Sequence, residues 1–256
     1  MKLQQMIEQV NTQGKKAFIP YVMAGDGGLH HLAPTILKFQ QLGATAIEVG
    51  IPFTDPVADG PVIEDAGNRA LKNGVTLSKV IEALRQFKDA RTIPVIVMTY
   101  LNPILAYGIE EFAEAAASAG IQAVIIPDMP LEERNTVYPA LLANDIDLIQ
   151  LVSLTSTTER QKQLVEASEG FVYAVTVNGI TGERQTFEQS LAAHFNTLKS
   201  ISPLPVIAGF GISTREHIET FSHFSDGVIV GSKIVQALHE NDWASIEYLL
   251  ASPQIV

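Results

Sequence analysis

Cysteine is absent from the 256-residue sequence. That excludes disulfides, thiolate nucleophiles and cysteine-ligated metals. Basic charge is scarce: 17 Lys and Arg stand against 28 Asp and Glu, a net charge of −11. No cluster of Lys or Arg is long enough to follow a phosphate backbone, so nucleic acid is not expected as a partner. No apolar stretch reaches the ~20 residues of a membrane-spanning helix. The opening MKLQQMIEQVNTQGKK reads as a polar amphipathic helix, not as a charged start followed by an apolar run. A soluble cytoplasmic protein with no membrane contact is the expectation. Histidine is uninformative, because His30, His31, His194, His217, His223 and His239 all fall in helical stretches or their flanks. No metal site is expected from them. No lysine ends a strand-like run, which removes Schiff-base chemistry. Any carbon–carbon chemistry would have to run on protons alone.

What is plentiful is hydrophobic residue, 46% against 18% charged, enough for one large core. Short apolar runs rich in β-branched residues recur: Ala17–Met23, Ala46–Gly50, Ile93–Thr99, Ala123–Ile126, Asp147–Leu151, Phe171–Thr176, Pro205–Phe210 and Gly227–Val230. They are too short for helices and lack the alternation of a half-exposed strand, so they read as strands buried on both faces. Stretches of helical period lie between them, at Leu29–Leu42, Leu77–Phe87, the run from Ile109, Leu131–Ala143, Thr158–Ala167, Phe187–Lys199 and Thr214–Ser222. Ser232–Glu240 and Trp243–Leu250 follow the last strand. Eight buried strands alternating with helices predict a single (β/α)8 TIM barrel over residues 1–256, with an extra N-terminal helix and extra helices near strands 2 and 8. A doubly wound open sheet is the competitor. Against it, Met23-Ala-Gly-Asp-Gly-Gly lacks the G-x-G-x-x-G spacing.

The long connections, after strand 2 (Ile51 to about Gly60) and after strand 6 (Val177 to Thr186), are where an active site is expected. Strand 2 itself carries Glu48. A carboxylate in a strand buried on both faces is disfavoured in its charged form. Either it pairs with a basic group across the barrel or it works as an acid and base near neutrality. No strand run supplies the basic group. The loop Pro52-Phe-Thr-Asp-Pro-Val-Ala-Asp-Gly-Pro61, stiffened by three prolines, carries Asp55 and Asp59. Asp59-Gly60 alone is an ordinary turn. Placed just after a buried Glu, at the same barrel end, it completes a pair of carboxylates in different environments, which is the usual way to divide acid and base roles.

An anion signal lies at the other end of the chain. Ala208-Gly-Phe-Gly-Ile-Ser213 ends strand 7, and Val230-Gly-Ser-Lys233 runs into a helix start. Each glycine alone is a turn. The two together, after strands 7 and 8, match where barrels bind phosphate, through backbone N–H groups and a helix N-terminus. Loop 6, Asn178-Gly-Ile-Thr-Gly182, can close over the same place. Tyr21, Tyr100 and Tyr173 sit in or just after strands 1, 3 and 6, either as core aromatics or as surfaces for an aromatic ligand.

Glu48-Val-Gly-Ile-Pro-Phe-Thr-Asp-Pro-Val-Ala-Asp-Gly-Pro61 closely resembles the signature of the tryptophan synthase α subunit family. The resemblance covers the whole chain, through Phe18-Ile-Pro-Tyr-Val22, Met98-Thr-Tyr-Leu-Asn-Pro103, Pro127-Asp128, Gly179-Ile-Thr-Gly182, Gly209-Phe-Gly-Ile-Ser213 and Gly231-Ser232. Thr54 stands where many members have Ser, and Asn178 lies where the family varies. The resemblance implies retro-aldol cleavage of indole-3-glycerol phosphate to indole and glyceraldehyde 3-phosphate in tryptophan biosynthesis. It implies no cofactor in this chain. It also implies a partner, the pyridoxal-phosphate-containing tryptophan synthase β subunit, in an α2β2 complex. Glu48 and Asp59 are the implied catalytic residues. Tyr21, Tyr100, Tyr173, Gly182, Phe210, Gly211, Gly231 and Ser232 are the implied substrate-binding residues. Three alternatives stay open: a self-sufficient lyase releasing free indole, another phosphate-binding barrel such as a sugar-phosphate isomerase, and a catalytically silent regulatory subunit.

Overall fold

The computed structural model of the chain describes residues 2–153, 155–175, 184–209 and 211–251, and of 184–190 the backbone only. Eight parallel strands close into a barrel in sequence order: β1 (Ala17–Met23), β2 (Ile47–Gly50), β3 (Val95–Met98), β4 (Ile121–Ile125), β5 (Asp147–Ser153), β6 (Val172–Val175), β7 (Val206–Gly209) and β8 (Gly227–Val230). Closure rests on β1, which pairs with β2 on one side and β8 on the other. A closed parallel sheet leaves no edge, and both faces of its strands are covered. This is why the strands read as unbroken runs of Val, Ile and Ala. The open-sheet alternative is excluded by the closed strand order.

The helices are α1 (Leu3–Thr12), α2 (Leu32–Gln41), α3 (Pro61–Lys72), α4 (Leu77–Gln86), α5 (Leu101–Tyr107), α6 (Ile109–Ser118), α7 (Tyr138–Ala143), α8 (Thr158–Ala167), α9 (Arg184–Ile201), α10 (Arg215–Phe224), α11 (Ser232–His239) and α12 (Trp243–Leu250). The extra helices expected at the N-terminus and near strands 2 and 8 are α1, α3 and α12. Helix α4 shows why such segments form. Leu77, Val80, Ile81 and Leu84 recur at helical spacing and are all buried, while the Thr76 hydroxyl accepts the Lys79 N–H at 3.4 Å. Threonine caps begin α8 and α10 in the same way. One hydrophobic cluster runs from Leu3 to Leu249, with Phe39, Phe112, Phe171 and Phe195 among its largest enclosed side chains. Each such phenylalanine contributes roughly 1.5–3 kcal/mol relative to an exposed one.

Some boundaries differ from the sequence reading. Strand β4 starts at Ile121, which pairs with Val95, and β5 runs on to Ser153 because Val152 and Ser153 pair with Ala174 and Val175 of β6. The stretch Leu131–Ala143 is two pieces, a 3-10 segment Leu131–Thr136 followed by α7. Pro139 in the first turn of α7 has no N–H to donate back into the preceding segment, so a continuous helix cannot form. Helix α5, seven residues long, has no counterpart in the sequence reading.

Helix α1 lies at the floor of the barrel, the N-terminal end of its strands. The Asn11 amide donates to the Asp226 carbonyl ahead of β8 (2.8 Å), Lys2 Nζ reaches Asp145 Oδ1 ahead of β5 (2.6 Å), and Leu3 packs beside Gly170 ahead of β6. Leu3 and Ile7 are wholly enclosed there.

Candidate active site

At the opposite end, the C-terminal mouth, the strands deliver the residues singled out above. Glu48 is the second residue of β2, 1% exposed, with Ile47, Val49 and Gly50 buried around it. Its register neighbours are Tyr21 on β1 and Ile96 on β3. Its Oε2 is buried without a hydrogen-bond partner. Burial, with a smaller contribution from the charge of Asp59, pushes its pKa up to about 8. A carboxyl in that state is protonated at neutral pH and able to give its proton away.

Asp59 stands in the loop between β2 and α3, half-buried. Burial raises it to about 6, against the opposing effect of a hydrogen bond with Tyr100. The two carboxyls therefore titrate about two units apart, one in a strand and one on a loop. The loop is held in place through Tyr100, the residue that caps α5. Its hydroxyl accepts the Ala58 N–H at 3.1 Å, and its ring stacks on Phe53 with centroids 5.2 Å apart. Asp128, after β4, accepts the Leu101 N–H at 3.0 Å and so fixes the start of α5 beside it. A chain of contacts thus runs from β4 through α5 to Asp59. Phe53 was not among the residues singled out in the sequence, and only its place in the proline-rich loop could have marked it.

Tyr21 on β1 and Tyr173 on β6 are both buried. Both are held well above the ordinary tyrosine range, first by burial and then by charge, Asp59 and Glu48 acting on Tyr21 and Glu48 on Tyr173. Each lies over a glycine of the next strand. A Cβ placed on Gly50 would collide with the Tyr21 hydroxyl, and one on Gly209 with the Tyr173 ring. In the sequence Gly50 reads as a strand end and Gly209 as part of the glycine motif after strand 7. Their function in the fold is the space they leave.

On the anion side, Gly211 is exposed with φ +73°, a left-handed conformation that disfavours a side chain. Gly231 precedes α11 and lies beside Tyr21, with Ser232 exposed as the first residue of that helix. The first N–H groups of α11 have no acceptor within the helix. Gly182 and Phe210 lie outside the described residues, as does the rest of loop 6. Among the described residues, no group of His, Asp and Glu is arranged to hold a metal ion, and no helix is long and apolar enough to cross a membrane.

A cavity of about 500 Å³ lies on the flank of the barrel, between the turn after β1 and helices α2, α11 and α12. It has no part in this chemistry, because neither Glu48 nor Asp59 lines it. Its charged groups are engaged: Arg69 grips Asp26 with two bonds of 2.7 Å, and Lys38 sits 3.7 Å from the Trp243 ring centroid and 3.8 Å from Glu247.

The fold and the mouth together define a class, a (β/α)8 barrel with two carboxyls of unequal titration at its mouth, near the glycine-led start of a helix. Comparison with known proteins narrows it. The family model described as Tryptophan synthase alpha chain matches residues 7–252. The chain is similar to the tryptophan synthase alpha chains of Bacillus thuringiensis subsp. konkukian and Oceanobacillus iheyensis, 48% identical to each over 249 residues. Those matches cover 97% of this chain and 96% and 95% of the relatives. Among solved structures it is similar to Mycobacterium tuberculosis tryptophan synthase, at 33% identity and TM-score 0.89, covering 99% of this chain and 98% of that one. It is equally similar to tryptophan synthase subunit alpha from Legionella pneumophila, with the same identity and TM-score over 99% and 97%. The chain belongs to the tryptophan synthase alpha chain family.

Proposed function

We propose that Glu48 and Asp59 carry out the carbon–carbon lyase reaction of this family, the cleavage of indole-3-glycerol phosphate to indole and glyceraldehyde 3-phosphate. The observation that carries the assignment is Glu48, a carboxyl buried at the strand mouth with an unpartnered oxygen and a pKa raised to about 8. The bond from indole C3 to the glycerol chain cannot break until C3 is protonated. Protonated Glu48 gives that proton, and the resulting cation is shared with the ring nitrogen. Asp59, ionised above about pH 6, accepts a hydrogen bond from the indole N–H and stabilises the charge as it develops. The Glu48 carboxylate then takes the proton of the adjacent hydroxyl as the C–C bond breaks, yielding indole and the aldehyde and returning Glu48 to its starting state. Tyr21 and Tyr100 flank the indole, Tyr100 also holding Asp59, and Tyr173 orients Glu48. Gly211, Gly231 and Ser232 bind the phosphate, joined by Gly182 and Phe210.

No step of this scheme needs a cofactor in this chain. Pyridoxal phosphate belongs to a β subunit partner, which takes the indole onward in an α2β2 complex. Support for a partner comes from relatives whose solved structures are of tryptophan synthase itself. The exposed Val57 beside Asp55 and Pro56, on the loop that carries Asp59, is the surface such a partner would press on. The chain acts in the cytoplasm as one domain over residues 1–256. The test is indole release from indole-3-glycerol phosphate by the purified chain and its Glu48→Gln variant. Gln keeps the shape and loses the proton, so a fall of at least about 100-fold is expected. A variant that still turns over would remove Glu48 from the reaction.

A further inference from the structure

Once Glu48 has given its proton to the substrate, a bare carboxylate is left in a strand buried on both faces. An ionised group so enclosed needs hydrogen-bond donors. Among the described residues, the titratable groups coupled to it are Tyr21 on β1, Asp59 on the loop after β2 and Tyr173 on β6, with Tyr100, after β3, beside Asp59 and Tyr21. No lysine or arginine is among them. Asp59 is ionised and cannot donate. Tyr100 is committed to the loop, through Ala58 and Asp59. A carboxylate has two oxygens to satisfy: Tyr173 reaches it from β6, which does not pair with β2, whereas Tyr21 is its register partner on the adjacent strand, with no hydrogen bond acting on its hydroxyl among the described residues. The bare Cα of Gly50, two residues beyond Glu48 on the same strand face, is what allows the phenol to lie down over β2.

We infer that Tyr21 is a positioning residue for Glu48: laid over Gly50, its hydroxyl donates to the Glu48 carboxylate during the half of the cycle in which that group is ionised. The phenol keeps its own proton throughout, since burial and the neighbouring acids hold it in the neutral form. The inference rests on the reading of Glu48 as the acid. It adds a function to the Tyr21 hydroxyl that stacking against indole does not require.

Removing a donor to the ionised form raises the pKa of the acid. Activity needs protonated Glu48, so the alkaline limb of the kcat–pH profile should move upward in Tyr21→Phe. The expected shift is about one pH unit, with kcat down about tenfold and KM nearly unchanged. Gly50→Ala, which pushes the phenol aside, should move the limb the same way, and the two changes combined should shift it no further than one alone. A Tyr21→Phe enzyme with an unmoved limb would overturn the inference whatever Gly50→Ala does. So would a raised KM with an unmoved limb, which would place the hydroxyl on the substrate instead. Failure of the underlying reading is separable: it would appear as retained turnover in Glu48→Gln. An inactive Glu48→Gln beside a silent Tyr21→Phe would sink only the role of Tyr21.

Discussion

The two ends of the barrel each hold acids with raised pKa values, and the difference between them is instructive. At the floor, Asp147 is pushed up to about 6 by burial and by the neighbouring charge of Glu169. Asp59 at the mouth reaches about the same value. Yet Asp147 is only half-buried and open to water, and the acids around it are provided for. Glu169 accepts the Leu148 N–H at 3.0 Å and the Tyr138 hydroxyl at 2.9 Å, and Asp145 is paired with Lys2. At the mouth, Glu48 Oε2 is enclosed with no partner at all. A shifted pKa therefore marks both ends, and what sets the mouth apart is a carboxyl oxygen buried with no hydrogen-bond partner. Structural networks perturb titration as readily as active sites do.

The sharpest way to break this comparison is to neutralise an acid at each end. Glu48→Gln should lose at least about 100-fold in indole formation, while Asp147→Asn should leave the rate unchanged in the same assay. Ser232→Asp should raise the KM for indole-3-glycerol phosphate by at least about tenfold, because it sets a like charge against the substrate phosphate. Asp59→Asn should lower kcat by roughly tenfold or more and remove the acid limb of the profile near pH 6, leaving the alkaline limb near pH 8. In the parent enzyme those limbs bound a bell, since Asp59 must be ionised and Glu48 protonated.

Smaller effects sharpen it further. Pro56→Gly should leave the isolated chain's rate unchanged and blunt its activation by an added β subunit, because a partner then docks on a looser loop. Identical activation curves for parent and variant would count against docking there. The smallest effect belongs to the floor. The folded pKa of Asp147 lies above its ordinary value of 3.8, so the native state binds more protons than the unfolded chain between pH 3.8 and about 6. Stability from this group is thus lost as pH rises through that window. Asp147→Asn should flatten that slope and unfold at a slightly higher temperature at neutral pH, as thermal melts across pH 3.5–7 would show.

Much of this was legible before any coordinates. Buried parallel strands cannot alternate, so β1 and β8 stand out as unbroken runs and were bounded correctly by Ala17–Met23 and Gly227–Val230. Glu48 was visible because a carboxylate amid such a run conflicts with its surroundings. What sequence could not show depends on partners distant along the chain. The extension of β5 to Ser153 follows from β6, and the close approach of tyrosines from other strands over Gly50 and Gly209 cannot be read from either glycine's neighbours in sequence. Tyr100 read as a wall for the indole. Its hydroxyl proves to hold Ala58, a contact 42 residues apart in sequence.

Helix α1 has one more consequence. With Leu3 and Ile7 wedged under the strands, and Lys2 and Asn11 fastened to the loops entering β5 and β8, the floor offers no exit there. The helix acts as a plug: it keeps water from the lower core while giving no group to the mouth, so what it supplies is stability and not chemistry.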